Sequence, residues 1–135
     1  MAVSGSCLCG AVRYEIAGTL GRTGHCHCSM CRRSHGAAFV TWAMVEPEQF
    51  RWTSGTELVA RYESSPGRAR CFCSRCGSAL VSMHCGDVLE VALGSTDGDP
   101  GVRPGEHIFV GSRACWYEIA DALPRFEEWP PGFEG

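Results

Sequence analysis

Seven of the ten cysteines in this sequence occur at the short spacings that are typical of metal ligands. They are the triplet Cys26, Cys28 and Cys31, the pair Cys7 and Cys9, and the pair Cys73 and Cys76. Thiolates are soft ligands that bind zinc well, and a turn or strand end that presents two of them supplies half of a tetrahedral site. In a chain without the features of a small secreted protein, clustered cysteines favour metal binding over a disulfide framework. The sequence therefore predicts metal chemistry.

The two cysteine pairs predict one closed site. Structural zinc takes four ligands, with Zn–S bonds of about 2.3 Å. Cys7 and Cys9 with Cys73 and Cys76 complete such a set. If Cys7 and Cys9 lie on one strand, their side chains point to the same face. Structural zinc contributes about 10–16 kcal/mol in small peptides, so closure of this site would help to stabilise the fold.

The triplet has one ligand too few for a closed four-ligand site. Catalytic zinc sites have this form, with three protein ligands and a fourth position for water or substrate. Cys26, Cys28 and Cys31 therefore predict a catalytic zinc site, and the soft fourth ligand that suits it is a substrate thiol. Two zinc ions per chain are expected.

Other assignments of the same residues remain open at this stage. A histidine, His25, His27 or His35, could close the triplet into a purely structural site. Cys28-X2-Cys31 could instead pair with Cys73-X2-Cys76 as a zinc ribbon, although 41 residues separate the two pairs, against the usual ~15–20.

The three remaining cysteines have less informative positions. Cys71 lies two residues before Cys73, where it could compete as a ligand of the closed site. Cys85 and Cys115 are isolated, and isolated cysteines are usually buried small hydrophobic residues.

The composition is that of a single globular domain spanning residues 1–135. Hydrophobic residues make up 44% and charged residues 20% of the sequence, enough to form a core. No apolar run approaches the ~20 residues of a membrane span, and the first residues lack the pattern of a signal peptide. We therefore expect a cytoplasmic protein without membrane association.

The hydrophobic pattern predicts short strands, punctuated by 17 glycines and seven prolines. Alternation of period two, as in GAVRYEI, is typical of half-buried strands. The predicted strands are Gly10–Ile16, Ala37–Val45, Phe50–Thr53, Glu57–Glu63, Arg68–Cys73, Ala79–Met83 and Val88–Leu93. One helical turn is predicted near Ser29–Ser34, and residues 95–107 are predicted to be a loop. The result is a mostly β fold with zinc knuckles.

Four segments together resemble the glutathione-dependent formaldehyde-activating enzyme family, which includes centromere protein V. They are SCLCGAVRYEI, HCHCSMCRRSHGAAF, FCSRCGSAL and HIFVGSRACWYEIADALPRF. The resemblance covers about residues 5–126, and the ordered elements C-X-C-G, C-X-C-X2-C-R-R and F-C-X2-C-G make it specific.

The resemblance implies a β-tent, sandwich-like zinc fold with a structural four-cysteine site and a catalytic three-cysteine site, partitioned as above. It also implies a carbon–sulfur lyase activity, the reversible addition of glutathione to formaldehyde. Arg32 and Arg33, directly after Cys31, would then bind a carboxylate of the thiol or stabilise alkoxide charge, although a solvated turn is the alternative for this pair. The expected partners are a small thiol such as glutathione and an aldehyde.

Other functional classes find less support. A zinc-dependent base deaminase needs His-X-Glu before Pro-Cys-X2-Cys, and neither motif is present. A thioredoxin-like role is not favoured in a β-rich, glycine-rich context. The competing hypothesis is a non-catalytic zinc module for a protein or nucleic acid, supported by Arg68, Arg70 and Arg75 beside Phe72. Against nucleic acid stands a pI of about 5.9, where such domains usually exceed about 9.

Five further residues are candidates to line a substrate pocket, with core packing as the alternative for the aromatic ones. They are His84, His107, Trp42, Trp116 and Asp121. The sequence does not predict an oligomeric state.

Overall fold

The fold was obtained as a computed structural model, in which residues 2–133 are described. The predicted mostly β fold class is confirmed, with the strands arranged in two sheets. The strands are β1 (Ala2–Ser6), β2 (Arg13–Ala17), β3 (Thr23–Cys26), β4 (Val40–Met44), β5 (Phe50–Ser54), β6 (Val59–Ser65), β7 (Arg68–Cys73), β8 (Ala79–His84), β9 (Asp87–Ala92) and β10 (His107–Ile108). A single α-helix, α1 (Ser29–His35), occurs among the described residues, with four short 3-10 helices.

The chain divides into two compact units. The first comprises residues 1–21 and 43–102, and the second residues 22–42 and 103–135. The division falls within β4. Single-domain organisation of the chain stays a prediction.

The first unit is built from antiparallel strands. In the smaller sheet β2 lies between β1 and β5. In the other, β6, β7, β8 and β9 form a meander in which each strand pairs with the next along the chain. Sequential antiparallel pairing needs only short connections, which agrees with the frequent turn signals in the sequence.

Alternation along these strands forms the core of the first unit. Tyr14 and Ile16 on β2 are buried, whereas Arg13, the first residue of the strand, is exposed. Leu80 and Val91 are also fully buried. The period of two predicted for GAVRYEI is therefore the pattern by which β2 contributes to the core.

The second unit contains β3, α1 and β10. β10 pairs with β3 in parallel, with His107 beside His25 and Ile108 beside Cys26. On its other side β10 is bonded to the following segment, since His107 N–H donates to the Pro124 carbonyl. Gly36 ends α1 in the left-handed conformation, with φ 61°, which glycine adopts without a Cβ penalty.

Most strand predictions are confirmed to within a few residues, and β7 coincides with its predicted range. The helical turn is confirmed and is one residue longer than predicted. Three strands, β1, β3 and β10, were not predicted; β10 begins at the last residue of the predicted loop. Among the described residues no helix is both long and apolar enough to cross a membrane.

Candidate metal centres

The first unit brings the four predicted closed-site cysteines together. The sulfurs of Cys7, Cys9, Cys73 and Cys76 all lie within 4.8 Å of one another. Cys7 Sγ is 3.5 Å from Cys9 Sγ, which is 4.0 Å from Cys73 Sγ. A tetrahedral zinc with bonds of about 2.3 Å separates its sulfur ligands by about 3.8 Å. The donor set and its spacing therefore fit one zinc-sized ion.

A tight turn presents Cys7 and Cys9, so the prediction that they share a strand face is wrong. β1 ends at Ser6, and Gly10 N–H donates to the Cys7 carbonyl at 3.1 Å. Gly10 has φ 79°. The turn brings the two sulfurs to one side because the chain reverses, not because alternate residues of a strand point the same way.

A second turn, at the end of β7, presents Cys73 and Cys76. Gly77 N–H donates to the Cys73 carbonyl at 2.7 Å, and Arg75 N–H points at Cys73 Sγ at 3.4 Å. Gly77 has φ 81°. The Gly77 bond closes the turn, and the Arg75 N–H is a donor to the sulfur that would bind the metal.

The Ser78 hydroxyl adds a further donor to this cluster. It lies 3.2 Å from Cys76 Sγ, and this hydrogen bond, with backbone N–H groups, lowers the pKa of Cys76 to about 5. Cys76 therefore loses its proton more readily than an ordinary thiol, which favours its role as a metal ligand.

The second unit brings Cys26, Cys28 and Cys31 into a separate cluster, with all three sulfurs within 4.8 Å of one another. Cys26 ends β3, Cys28 is the N-cap of α1, and Cys31 lies in the first turn of that helix. The Cys28 sulfur accepts from Cys31 N–H at 3.3 Å, in the role that Ser or Asp usually has at an N-cap. The helix start thus fixes the spacing of two of the three thiols.

This cluster is more enclosed than the first. Cys26 and Cys31 are buried, and Cys28 is partly accessible. Hydrogen bonds with the neighbouring thiols Cys28 and Cys31, together with burial, raise the pKa of Cys26. Trp42 Nε1–H donates to Cys31 Sγ at 3.4 Å and helps to stabilise negative charge on that sulfur. A cation that neutralises the three thiolates would relieve their mutual repulsion.

No histidine belongs to the group of ligand atoms at the triplet among the described residues. His27 instead bonds His107, with 2.8 Å between Nε2 and Nδ1, and His25 Nδ1 lies 2.9 Å from the Thr41 hydroxyl. The His35 ring packs edge-on against Trp42. The alternative in which a histidine closes the triplet is therefore not the arrangement found.

The zinc-ribbon alternative is not found either. Cys28 and Cys31 group with Cys26, and not with Cys73 and Cys76. Cys71 is buried in the core of the first unit and is not part of the four-cysteine group. Cys85 and Cys115, expected to be buried, are both exposed.

The two arginines after the triplet differ in setting. Arg32 Nε donates to the Ser112 carbonyl at 3.1 Å, whereas Arg33 is exposed. Both lie on α1, within two residues of Cys31.

The five pocket candidates have different environments. Trp42 is buried against Cys31 and His107 is buried beside His27, whereas Trp116 is 70% exposed, so core packing is wrong for Trp116. Asp121 is half-exposed and bonds His107. His84 is exposed at the end of β8, in the first unit.

The model of the family described as glutathione-dependent formaldehyde-activating enzyme matches residues 2–112. The chain belongs to this family. A Halomonas elongata protein named "Putative glutathione-dependent formaldehyde-activating enzyme" is 30% identical over 130 residues, which cover 88% of this chain and 82% of that protein. The fold is similar to the crystal structure of a Rhodobacter sphaeroides protein, with a TM-score of 0.54 and 26% identity over 75% of this chain and 91% of that one.

The family match to the formaldehyde-activating enzymes includes both cysteine clusters and His107, but ends before Asp121. Sequence reasoning treated Asp121 and His107 only as general pocket candidates, and placed His27 only as a possible ligand. The hydrogen-bonded chain that these three residues form was missed. The sequence signal that could have indicated this chain is His27, which lies between the predicted ligands Cys26 and Cys28.

Proposed function

We propose that this protein is a zinc-dependent carbon–sulfur lyase that forms and cleaves the adduct of a thiol, such as glutathione, with formaldehyde or a related aldehyde. The observation that carries the proposal is the cluster of Cys26, Cys28 and Cys31, a set of three thiols in a member of the formaldehyde-activating family. Three protein ligands are the number used by catalytic zinc.

The reaction itself is simple. The thiol sulfur bonds to the aldehyde carbon, the carbon–oxygen double bond becomes a single bond, and the thiol proton ends on the new hydroxyl oxygen. When bound, zinc would supply a positive charge that holds the incoming thiol as thiolate and polarises the aldehyde oxygen. The forward and reverse reactions share one transition state, so the same site would run the reaction in either direction.

The chain's own residues would orient the reactants. Trp42 Nε1–H, aimed at Cys31 Sγ, would moderate the charge of that ligand. Arg33, exposed on α1, would bind a carboxylate of glutathione, and the Arg32 guanidinium, held through Nε by the Ser112 carbonyl, would supply its remaining N–H groups.

The four-cysteine cluster would have a structural role. Cys7 and Cys73 are buried in the core of the first unit, so a zinc bound there would tie the turn after β1 to the end of β7. This gives two zinc ions per chain, in a protein we propose to be a single-domain, cytoplasmic enzyme.

The first experiment counts zinc in the purified chain and in Cys28→Ser, with Cys85→Ser as the matched control at an exposed thiol outside both clusters. We expect two zinc ions in the parent and in Cys85→Ser, and one in Cys28→Ser with the circular dichroism spectrum retained. A parent with one zinc that survives Cys28→Ser would contradict the catalytic assignment.

A second experiment measures turnover with two thiols. Arg33→Gln removes the positive charge of the guanidinium group and should raise KM for glutathione about tenfold. KM for 2-mercaptoethanol, which has no carboxylate, should change little. Arg51→Gln, at an exposed arginine in the first unit, is the control. Equal effects on both thiols would exclude carboxylate recognition by Arg33.

The alternative function, a non-catalytic zinc module for a nucleic acid or protein, finds no added support in two of the three arginines that suggested it, while the third, Arg75, is exposed. Arg68 is paired with Glu90 at 3.7 Å, and Arg70 Nε donates to the Ser64 hydroxyl at 3.2 Å. Nucleic-acid binding would fall steeply with salt concentration, whereas thiol binding would not.

A further inference from the structure

A chain of three hydrogen-bonded side chains runs from the surface of the second unit to the segment that carries the cysteine triplet. Asp121 lies 2.9 Å from His107 Nε2 through Oδ2 and 3.1 Å through Oδ1. His107 Nδ1 is 2.8 Å from His27 Nε2. The Asp121 side chain is 46% exposed, while His107 and His27 are 1% and 0% exposed.

The protons in this chain have a defined direction. An ionised carboxylate only accepts, so His107 donates to Asp121 through Nε2–H. In the neutral form of His107 the other nitrogen is then an acceptor, and in that form His27 donates to His107 Nδ1 through Nε2–H. The charge of Asp121 therefore selects the tautomers of both buried rings.

His27 depends on this single bond for its orientation. Its Nδ1 is buried and has no hydrogen-bond partner among residues 2–133. The ring otherwise packs against the aromatic rings of Phe39 and Tyr117. The two orientations of the imidazole ring that differ by a rotation of about 180° have nearly the same shape, so packing does not distinguish them. The hydrogen bond to His107 therefore determines that Nε2, and not Nδ1, faces His107.

His27 is also placed to transmit this orientation. It is the residue between Cys26 and Cys28, and its backbone N–H donates to the Ile108 carbonyl at 3.0 Å. Both its backbone and its side chain are thus bonded to β10.

The far end of the chain is itself held in place. Asp121 Oδ1 accepts from Leu123 N–H at 3.0 Å, and His107 N–H donates to the Pro124 carbonyl. The carboxylate therefore has a fixed position from which it can order the rings.

We propose that Asp121 is a positioning residue for the three-cysteine cluster. Acting through His107, it fixes the His27 ring and so holds the Cys26–Cys28 segment in the geometry in which its sulfurs bind a metal. The inference rests on the metal site of the proposed function but not on the lyase reaction.

The test measures metal affinity in the full-length protein. Zinc-loaded parent is titrated with a chromophoric chelator that competes for the metal, and Cys28→Ser identifies which equivalent belongs to the triplet. Outer partners of metal ligands typically change metal affinity by about 10–100-fold. We expect Asp121→Asn to lower the zinc affinity of the triplet by about tenfold or more, with the affinity of the four-cysteine site unchanged. Asp121→Glu should retain part of the affinity that Asp121→Asn loses.

Two comparisons show whether the effect passes through His107. Glu118→Gln removes an exposed carboxylate three residues before Asp121, and its zinc affinity at the triplet should equal that of the parent. In a His107→Phe background, Asp121→Asn should cause no further loss, because the link is already broken.

Several results would overturn the proposal. One is an Asp121→Asn variant whose triplet binds zinc as tightly as the parent's. Another is an equal loss of zinc affinity at both sites. The third is a full additional loss of affinity when Asp121→Asn is added to His107→Phe. The four-cysteine site reports the folding of the first unit, and the circular dichroism spectrum reports that of the whole chain, so a variant that simply misfolds is recognised by a loss in either. A parent whose triplet binds no zinc would instead refute the proposed catalytic site, and the two failures are therefore distinct.

Discussion

At the scale of single residues, the same thiol group has different properties in the two clusters because different donors reach each sulfur. In the first, the Ser78 hydroxyl lowers the pKa of Cys76 to about 5. In the second, neighbouring thiols and burial raise the pKa of Cys26. Metal binding to the triplet must therefore displace protons at neutral pH.

The protons that these thiols hold predict how zinc binding depends on pH. Between pH 8 and pH 6, zinc affinity at the triplet should fall, because zinc must displace the proton that Cys26 holds. Affinity at the four-cysteine site should fall as well, because the pKa of Cys9 is raised to about 11. The measurement is the chelator competition at several pH values, with Cys28→Ser to separate the sites. A zinc affinity at the triplet that is the same at pH 6 and pH 8 would contradict the prediction.

A buried phenol gives a second pH effect. Burial raises the pKa of Tyr14 to about 12 from 10.0, and its hydroxyl lies 2.6 Å from the Ser95 hydroxyl. An acid whose pKa is raised by folding holds its proton more tightly in the folded chain. Its contribution to stability is therefore complete below pH 10 and is lost as pH rises towards 12.

We expect Tyr14→Phe to cost about 1 kcal/mol at pH 7 through the lost hydrogen bond, and to lose less stability than the parent between pH 10 and 12. Urea unfolding across this range measures both effects. Tyr62→Phe, at a residue that is 65% exposed, is the control and should follow the parent. A Tyr14→Phe curve parallel to the parent's would mean that Tyr14 does not cause the alkaline loss.

The sequence was sufficient to predict which cysteines would cluster, because ligand spacing is local and two pairs plus a triplet admit few partitions. It did not predict the chain of Asp121, His107 and His27, since these residues are 14 and 80 positions apart along the sequence. Their contact depends on the pairing of β10 with β3, which no local pattern encodes.

At the scale of elements, the fold alternates short strands with turns whose backbone conformations are restricted. Strands with clear alternation, such as β2 and β7, could be predicted because each buries one face. β1 and β10 could not be predicted in this way. β1 has the sequence AVSGS and β10 has only two residues, so neither shows a recognisable hydrophobic alternation.

Two turn glycines provide a test of this restriction. Gly55 and Gly98 both have positive φ, 73° and 61°. A Cβ at Gly55 would collide with the Ala11 carbonyl, whereas a Cβ at Gly98 would meet nothing within 4 Å. Gly98→Ala should lower the free energy of unfolding by about 1 kcal/mol, the penalty for alanine at positive φ. Gly55→Ala should lower it by more than about 3 kcal/mol, because the collision adds to that penalty.

Chemical denaturation of the two glycine variants measures these costs directly. Since both carry the same backbone penalty, their difference reports the close approach at Gly55 alone. Equal costs would show that the backbone near Ala11 adapts to the added methyl group.

At the scale of the whole molecule, the two cysteine clusters belong to different units and should contribute differently to stability. The four-cysteine cluster includes buried core residues of the first unit, Cys7 and Cys73. The triplet lies in the second unit, at the start of α1. A structural metal belongs to the folding free energy of the unit that contains it.

We therefore expect Cys9→Ser to lower the free energy of unfolding by more than about 3 kcal/mol, since structural zinc contributes about 10–16 kcal/mol in peptides. Cys28→Ser should lower it less. Thermal and urea unfolding of zinc-loaded proteins provide the comparison, with Cys85→Ser as the control. A larger loss in Cys28→Ser than in Cys9→Ser would reverse the assignment of structural and catalytic roles.

The four-cysteine cluster also has a kinetic consequence. Cys9 and Cys73 are 64 residues apart along the chain, and closing a flexible loop of that length costs on the order of 4 kcal/mol of chain entropy. Contacts that are distant in sequence slow folding for this reason. An ion captured first by one cysteine pair and then by the other would close the loop early, so zinc supplied during synthesis would determine how fast the first unit assembles as well as how stable it is.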